Sequence, residues 1–273
     1  MDESHFVIKY SEYHLNVDHD SAMNSDDIAQ FSSLVNPLVE HSTSDVDTHR
    51  RIRSFVRREG RMTSAQRRAL TECWERFGVD VGLAALKPER LFGRCAPLIL
   101  EVGFGDGESL VAMAAAHPEM DYLGVEVHRP GVGHALLRAE ALNLNNLRIL
   151  CADAVEVLRQ LPNESLERIQ IFFPDPWPKA RHHKRRLIQP SFIALLVPKL
   201  KQSGQVHVAT DCGDYAWSIL NNLRATPELT NAAEGDGFIP RCADRILTRF
   251  ERRGQRLGHE IWDILFIRSQ SGI

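Results

Sequence analysis

From residue 97 onward, apolar runs of strand length alternate with stretches that have helical spacing. Short apolar runs bounded by turn residues are typical of buried strands. The pattern predicts five strands, over residues 98–104, 121–128, 147–152, 168–174 and 204–211. It predicts intervening helices, one ending near residue 116 and the others over 132–143, 154–161, 190–200 and 214–224. This alternation indicates an α/β fold with a mostly parallel sheet covered by helices on both faces.

A last apolar run, over residues 259–269, is also strand-like. It follows a long irregular stretch without an evident crossover helix, which a parallel connection would need. We therefore predict that this last strand enters the sheet antiparallel.

The N-terminal part of the chain does not share the alternation. Its first residues are rich in Ser, Asp, His and Asn and lack a sustained apolar period, which predicts disorder with one short helix around 26–40. A basic segment follows, in which Thr63 or Ser64 is placed to cap a helix over 64–77. The predicted parts are an acidic tail, a basic extension and a main domain, over residues 1–48, 49–95 and 96–273.

The formal net charge of −3 hides an asymmetry along the chain. Residues 1–50 hold ten acidic and two basic side chains, a net of −8, so the remainder carries +5 (−3 less −8). The basic body can attract phosphate groups, whereas the acidic tail does not.

Cysteine usage and hydropathy indicate the cellular compartment in which the protein acts. Five cysteines are scattered without a CxxC pair, which argues against a disulfide framework or a zinc knuckle and suits a reducing cytosol. No apolar run approaches about 18 residues, and the first residues lack the regions of a secretory signal. We expect a cytoplasmic protein that binds no metal, does not enter a membrane and acts as a monomer.

The first predicted strand ends in a glycine-rich turn. Glu101 is followed by glycines at three alternate positions, Gly103, Gly105 and Gly107, which allow a tight turn and a close backbone approach to a ligand. A dinucleotide fingerprint would require glycine at position 108, where Glu108 stands. The E-x-G-x-G-x-G string instead resembles the first motif of S-adenosylmethionine-dependent methyltransferases. A purely structural turn between strand and helix is the alternative.

The next two strand ends carry acids. Glu126 lies some twenty residues past the glycines, where a carboxylate can accept both hydroxyls of a ribose. Asp153 is placed to accept from an adenine amine, although taken singly it is more often a helix cap. Acids at successive strand ends suit a nucleoside cofactor that lies across the sheet edge.

The fourth strand end, in the string FFPDPWPKARHHKRR (172–186), combines one acid with many cations. Two prolines restrict the backbone around Asp175. Trp177 is either packed in the core or a stacking platform for a base. The cations that follow are candidate phosphate contacts: Lys179, Arg181, Lys184, Arg185 and Arg186. A solvated charged turn is the alternative.

Two further segments contribute candidates. Asp211 ends the fifth strand, where its carboxylate can bond a base edge. The stretch before the last strand holds six arginines and two glycines over residues 241–258 and predicts a mobile basic loop, with Thr248 and Glu251 as polar groups that reach the crevice. A solvated surface loop is the alternative.

Taken together, these motifs resemble the bacterial tRNA (guanine-N7)-methyltransferase family. The carrying strings lie between about residue 50 and residue 268: RSFVRREGRMTSAQ, LEVGFGDG, GVEVH, DAVEVL, FFPDPWPKARHHKRR, ATD and TRFERRGQRLGH. The resemblance implies a class I S-adenosylmethionine-dependent methyltransferase fold. It also implies methyl transfer to guanosine 46 in the variable loop of tRNA.

The resemblance assigns roles to individual residues. It implies that Asp175 is catalytic and that the cofactor site is lined by Glu101, Gly103, Gly105, Glu126, Asp153 and Asp175. It implies substrate contacts from Lys179, Asp211, Thr248, Arg249, Phe250 and Glu251. It also implies RNA contacts from Arg181, Lys184, Arg185 and Arg186.

Two other classes of protein compete with this interpretation. A methyltransferase of non-RNA substrates would keep the glycine turn and Glu126 but would not need the cationic loops. A non-catalytic RNA-binding module would keep the loops but would not need convergent acids, which repel phosphate.

Overall fold

The computed structural model describes residues 60–82, 84–235, 237–242, 245–247, 249–256, 258 and 260–269. The predicted tail over residues 1–48, its helix around 26–40 and Thr248 lie outside the described residues.

In the described part of the chain, seven strands form one sheet in the order β3-β2-β1-β4-β5-β7-β6. The strands are β1 (Leu98–Val102), β2 (Asp121–Val125), β3 (Leu147–Leu150), β4 (Leu166–Phe172), β5 (Leu200–Thr210), β6 (Leu229–Asn231) and β7 (Trp262–Arg268). Strands β1 to β5 are parallel, and β7 pairs antiparallel with β5 and β6. The predicted α/β fold with a mostly parallel sheet and an antiparallel last strand is confirmed.

Helices fill the connections between strands. They are α1 (Ser64–Glu72), α2 (Trp74–Phe77), α3 (Pro88–Phe92), α4 (Glu108–Ala116), α5 (Arg129–Ala141), α6 (Ala154–Gln160), α7 (Pro190–Leu196), α8 (Gly213–Arg224) and α9 (Arg249–Arg256). Two short 3₁₀ helices cover Ala180–Arg185 and Val197–Lys199. No helix in the described ranges is long and apolar enough to span a bilayer.

Two apolar clusters cover the two faces of the sheet. One contains side chains of α6, α7 and α8, such as Val157, Phe192 and Ile219. The other contains side chains of α1, α4 and α5, such as Ala69, Leu110 and Leu136. Because both faces are covered, all residues of β1 and β2 are buried. This explains why these strands read as continuous apolar runs in the sequence.

The described part of the basic extension contributes to both clusters: α1 and α2 pack in the second, whereas Leu86 lies in the first. Thr63 caps α1 in a reciprocal capping box with Gln66. Gln66 also donates to the Pro130 carbonyl of α5 at 3.1 Å. A Cβ at Gly133 would lie 2.8 Å from the Gln66 carbonyl oxygen, so glycine permits the close approach of α1 and α5. Residue 73 interrupts the helix predicted over 64–77.

Several elements differ from the prediction, among them helix α3 over Pro88–Phe92, which was not predicted. Strand β5 begins at Leu200, whereas the helix predicted over 190–200 ends at Leu196. The short edge strand β6 was not predicted. The basic stretch predicted as a loop contains helix α9 over Arg249–Arg256.

Candidate active site

The glycine turn after β1 has the backbone that its sequence requires. Gly103, Gly105 and Gly107 have positive φ angles of 74°, 61° and 73°. A Cβ at Gly103 or Gly105 would meet no atom within 4 Å, whereas one at Gly107 would lie 2.4 Å from the Ala135 Cβ. The first two glycines therefore leave open space beside the backbone, and the third permits packing of the turn against α5.

Glu126 joins the end of β2 to this turn. Its Oε2 accepts from the Gly105 N–H at 2.9 Å. Its Oε1 accepts from the N–H groups of Val127 at 2.7 Å and His128 at 2.9 Å. The half-buried carboxylate is thus fixed beside the glycines, where the sequence predicted a ribose contact.

A row of polar side chains crosses the sheet beneath the turn. Glu101 of β1 is in register with Gln170 of β4, and Gln170 with His207 of β5. All three are buried. Among the described residues, Glu101 Oε2 and both amide atoms of Gln170 have no hydrogen-bond partner. Burial raises the pKa of the Glu101 carboxyl to about 8.

Asp153 follows β3 and caps a helix. Its carboxylate accepts from the Val155 N–H at 2.8 Å at the start of α6. The capping interpretation is therefore correct. The carboxylate also lies at the carboxyl edge of the sheet, the same edge at which the other candidate acids follow their strands.

Asp175 is exposed in the turn after β4. The residues that bracket this turn, Phe173 and Trp177, have positive φ angles of 52° and 44°. A non-glycine residue in this region costs about 1–3 kcal/mol, and such strain concentrates at functional sites. The Phe173 N–H donates to the Ala209 carbonyl of β5 at 2.7 Å, which attaches the turn to the sheet.

The basic segment forms a 3₁₀ turn beside Asp175. Lys179, Arg181 and Lys184 are exposed. Arg185 is half-buried, with its guanidinium carbon 4.9 Å from the centre of the Trp177 ring. Trp177 also packs edge-on against His182 at 5.9 Å. These contacts place Trp177 within the turn rather than in the main core.

The structure does not bring Arg186 together with these cations. Its side chain is only 3% exposed and contacts Asp214. Its Nε donates to the Pro176 carbonyl at 2.9 Å. The sequence grouped Arg186 with the RNA contacts, but its guanidinium is turned into the protein, where it donates to the Pro176 carbonyl and to Asp214.

Asp211 follows β5 directly and is half-buried at the same edge of the sheet. The neighbouring Thr210 hydroxyl accepts from the Cys212 N–H at 3.3 Å. The turn after β5 thus places Asp211 on the edge that also carries Asp175.

Helix α9 is attached to the sheet through a buried ionic cluster. Glu251 is fully buried and accepts from Arg245 at 2.6 and 2.9 Å and from Arg241 at 2.8 Å. Arg245 also donates to Asp263 of β7 at 2.8 and 2.9 Å, and Asp263 lies 2.9 Å from His207. The Glu251 carboxylate is therefore directed at arginines rather than into an open crevice. Arg249 and Phe250 belong to α9.

A second ion pair connects α9 to the glycine turn. Arg252 donates to Glu108, the first residue of α4. Both side chains are partly exposed, at 45% and 29%.

Sequence reasoning missed several polar residues of this region. Gln170, His207 and Asp263 each occupy a buried position in a strand whose neighbours are apolar. A polar residue inside such a run is the signal that could have identified them, since buried polar groups need partners. Arg245 carries no comparable signal, because it lies in a stretch rich in arginine.

Comparison with known proteins places the chain in a family. Residues 95–264 match the family model described as "Putative methyltransferase". The tRNA (guanine-N(7)-)-methyltransferase of Halorhodospira halophila is 55% identical over 225 residues, covering 80% of this chain and 95% of the relative. The protein of the same name from Edwardsiella ictaluri is 53% identical over 220 residues, covering 80% and 92%. The chain belongs to the tRNA (guanine-N7)-methyltransferase family.

Membership of this family agrees with the predicted fold class, class I S-adenosylmethionine-dependent methyltransferases. A crystal structure of the 16S rRNA methyltransferase KamB is more distantly similar, with a TM-score of 0.48 and 16% identity over 67% of this chain and 92% of that chain.

In the described part of this chain, no group of three or more His, Cys, Asp or Glu side chains is arranged to hold a metal ion.

Proposed function

We propose that this chain transfers a methyl group from S-adenosylmethionine to N7 of a guanine in tRNA, and that the target is guanosine 46 of the variable loop. One observation carries the proposal. The exposed Asp175 lies between acids on neighbouring strand ends and the exposed cations Lys179, Arg181 and Lys184. Such an edge combines a nucleoside-binding side with a phosphate-binding side. Family membership supports the same reaction.

The residues beside the glycine turn fit the cofactor. The unpaired Glu101 oxygen suits an ammonium group, Glu126 suits ribose hydroxyls, and open space adjoins Gly103 and Gly105. Asp153 suits an adenine amine. When bound, S-adenosylmethionine supplies an electrophilic methyl group on a sulfonium.

The chemistry at N7 explains why a single carboxylate suffices. Guanine N7 carries an in-plane lone pair, so its attack on the methyl group needs no prior deprotonation. The site mainly has to align the base and exclude water. We assign to Asp175 the task of accepting from guanine N–H groups and stabilising the positive charge that develops on the base.

The cations serve the tRNA backbone in this proposal. Because N7 takes part in tertiary contacts in folded tRNA, the base has to turn outward, at a cost of a few kcal/mol. Phosphate contacts from Lys179, Arg181, Lys184 and Arg185 offset this cost. We further propose that the chain acts in the cytoplasm, because its scattered free cysteines suit a reducing compartment. We also propose that it acts as a monomer.

A labelled-methyl assay tests the proposal against both rival classes. We expect the purified protein to label bulk tRNA, and a tRNA transcript with guanosine 46 replaced by adenosine to remain unlabelled. Transfer to small molecules alone would support a non-RNA methyltransferase. Binding of tRNA without transfer would support a non-catalytic module.

Substitution of Asp175 tests its assigned role. We expect Asp175→Ala to lower kcat steeply while tRNA affinity stays within a few-fold, because the carboxylate acts on the reacting base. Asp175→Asn should keep part of the activity if orientation dominates and little if charge dominates. Methylation of tRNA by Asp175→Ala at the parental rate would remove Asp175 from the catalytic role.

A further inference from the structure

Arg186 lies in a basic segment but is held by the protein on three sides. Its Nε donates to the Pro176 carbonyl at 2.9 Å, and its Nη2 donates to Asp214 at the start of α8. Its guanidinium carbon lies 4.7 Å from the centre of the Tyr215 ring. A planar guanidinium can make all three contacts at once, which an ammonium cannot.

Pro176 directly follows Asp175 in the chain. The hydrogen bond from Arg186 to the Pro176 carbonyl therefore restrains the turn that carries Asp175. Pro174 and Pro176 have no N–H to offer to the surroundings. The turn is attached to β5 on one side of Asp175 by the Phe173 N–H. Arg186 attaches it on the other side. Asp175 is thus exposed but lies between two fixed points.

Helix α8 supplies the support for Arg186. Tyr215 is fully buried, and its hydroxyl accepts from the Ile188 N–H at 3.1 Å, which fixes the chain after the basic turn. The hydrogen bond from Arg186 is the main cause that lowers the pKa of Asp214. Asp214 therefore holds the guanidinium as a carboxylate, on a helix that is packed against the core.

We propose that Arg186 and Asp214 are positioning residues that fix the Asp175 turn for methyl transfer. The proposal rests on the proposed function, in which Asp175 acts on the base. Without Arg186, the Pro176 carbonyl loses its donor and the Asp175 carboxylate samples a wider range of positions. Misplacement by about 1 Å can cost a hundredfold in rate.

Two other roles for Arg186 make different predictions. As a phosphate contact it would contribute to tRNA affinity and to its salt dependence. As a purely structural residue it would affect the amount of folded protein, and the remaining folded enzyme would turn over normally. A positioning role affects kcat per folded molecule.

The experiment compares four variants for kcat and KM with tRNA, the salt dependence of tRNA binding, and the melting temperature. Arg186→Lys and Asp214→Asn test the proposed pair. Arg181→Ala removes an exposed cation of the same basic segment and shows what the loss of a phosphate contact does. Lys201→Ala removes a surface cation of β5 that pairs with Glu167 at 3.6 Å, and it serves as the neutral control.

We expect Arg186→Lys to lower kcat at least tenfold per folded molecule, while KM for tRNA and the salt slope stay within twofold of the parent. Asp214→Asn retains an acceptor oxygen for Arg186 and should lose less, about threefold, because the weaker bond only partly frees the guanidinium. Arg181→Ala should instead raise KM and reduce the salt slope by about one. Lys201→Ala should match the parent.

Two outcomes would overturn the proposal. One is a salt slope reduced by about one in Arg186→Lys with kcat retained, which would make Arg186 a phosphate contact. The other is a kcat that falls only in proportion to the folded fraction.

Hydrogen exchange separates failure of this proposal from failure of the proposed function. In the tRNA-free protein, Arg186→Lys should speed amide exchange in the peptide spanning residues 172–178 relative to the parent and Lys201→Ala. This readout does not depend on which substrate is methylated. Unchanged exchange would reject the positioning role even if the parent methylates tRNA, whereas faster exchange without tRNA methylation would reject only the function.

Discussion

Arg185 and Arg186 are adjacent in sequence, but their side chains have different surroundings. Arg185 stacks on Trp177 at the surface of the basic turn, whereas Arg186 is buried against Asp214 and Tyr215. A 3₁₀ turn has about three residues per turn, so successive side chains point in directions about 120° apart. Composition therefore predicts the charge of this segment but not which of its charges face solvent.

Glu101 gives a prediction about pH. Burial raises the pKa of its carboxyl from 4.5 to about 8, so between these values the folded protein keeps a proton that the unfolded chain releases. The stability from this group is fully present below the unfolded pKa and is lost as pH rises through the folded one. As the pH rises from about 5 to about 8, we expect the free energy of unfolding to fall less for the neutral variant Glu101→Gln than for the parent.

Thermal unfolding of the cofactor-free proteins across this range measures the difference. Glu75→Gln, at an exposed position of α2, is the matched control and should follow the parent. Parallel pH profiles for the parent and Glu101→Gln would contradict the prediction.

At the scale of elements, the sequence predicts best where burial is continuous. The strands β1 to β5 and the helices between them were predicted because both faces of the sheet are covered, which gives long apolar runs. The glycine turn was predicted because its backbone needs positive φ angles. These features depend on local sequence alone.

Helix α9 was missed because its sequence, RFERRGQR, holds a single large apolar residue and therefore has no repeating apolar positions. A polar helix is held by ion pairs rather than by apolar packing. Its buried Glu251 bonds Arg245, which in turn bonds Asp263. Such a cluster joins residues from different segments, and no local pattern predicts it. For the same reason the sequence located the acids of the site but not the partners that fix the Asp175 turn.

Two glycines beside helix ends, both with positive φ angles, test the packing of the glycine turn. Gly107 precedes α4 and Gly93 follows α3, with similar φ angles of 73° and 69°. A Cβ at Gly93 meets nothing within 4 Å, whereas one at Gly107 meets Ala135 at 2.4 Å. We expect Gly93→Ala to cost about 1–2 kcal/mol for the backbone alone. Gly107→Ala should cost about 1–3 kcal/mol more, because α5 must move.

Urea unfolding of both variants measures these costs. Equal losses at the two positions would show that the contact with Ala135 relaxes without cost. Stability rather than activity is the readout, so the result does not depend on the proposed function.

At the scale of the whole molecule, the acidic tail remains to be tested. The two relatives described above match about 80% of this chain and over nine-tenths of their own length. We expect removal of residues 1–48 to leave folding and methyl transfer nearly intact, because the segment lacks periodic apolar positions that could dock. Melting temperature and methyl transfer to tRNA measure the effect. An insoluble protein, or loss of most of the rate, would show that the tail packs on the domain.

The ion pair between Arg252 and Glu108 connects two parts of the molecule that are far apart in sequence. A partly exposed pair contributes about 1 kcal/mol or less. At that strength it is broken in roughly one molecule of six at any moment, and exposed side chains rearrange within nanoseconds. The connection between α9 and the glycine turn is therefore a rapid equilibrium. While this pair is broken, the buried contacts of Arg245 with Glu251 and Asp263 still hold α9 to the sheet.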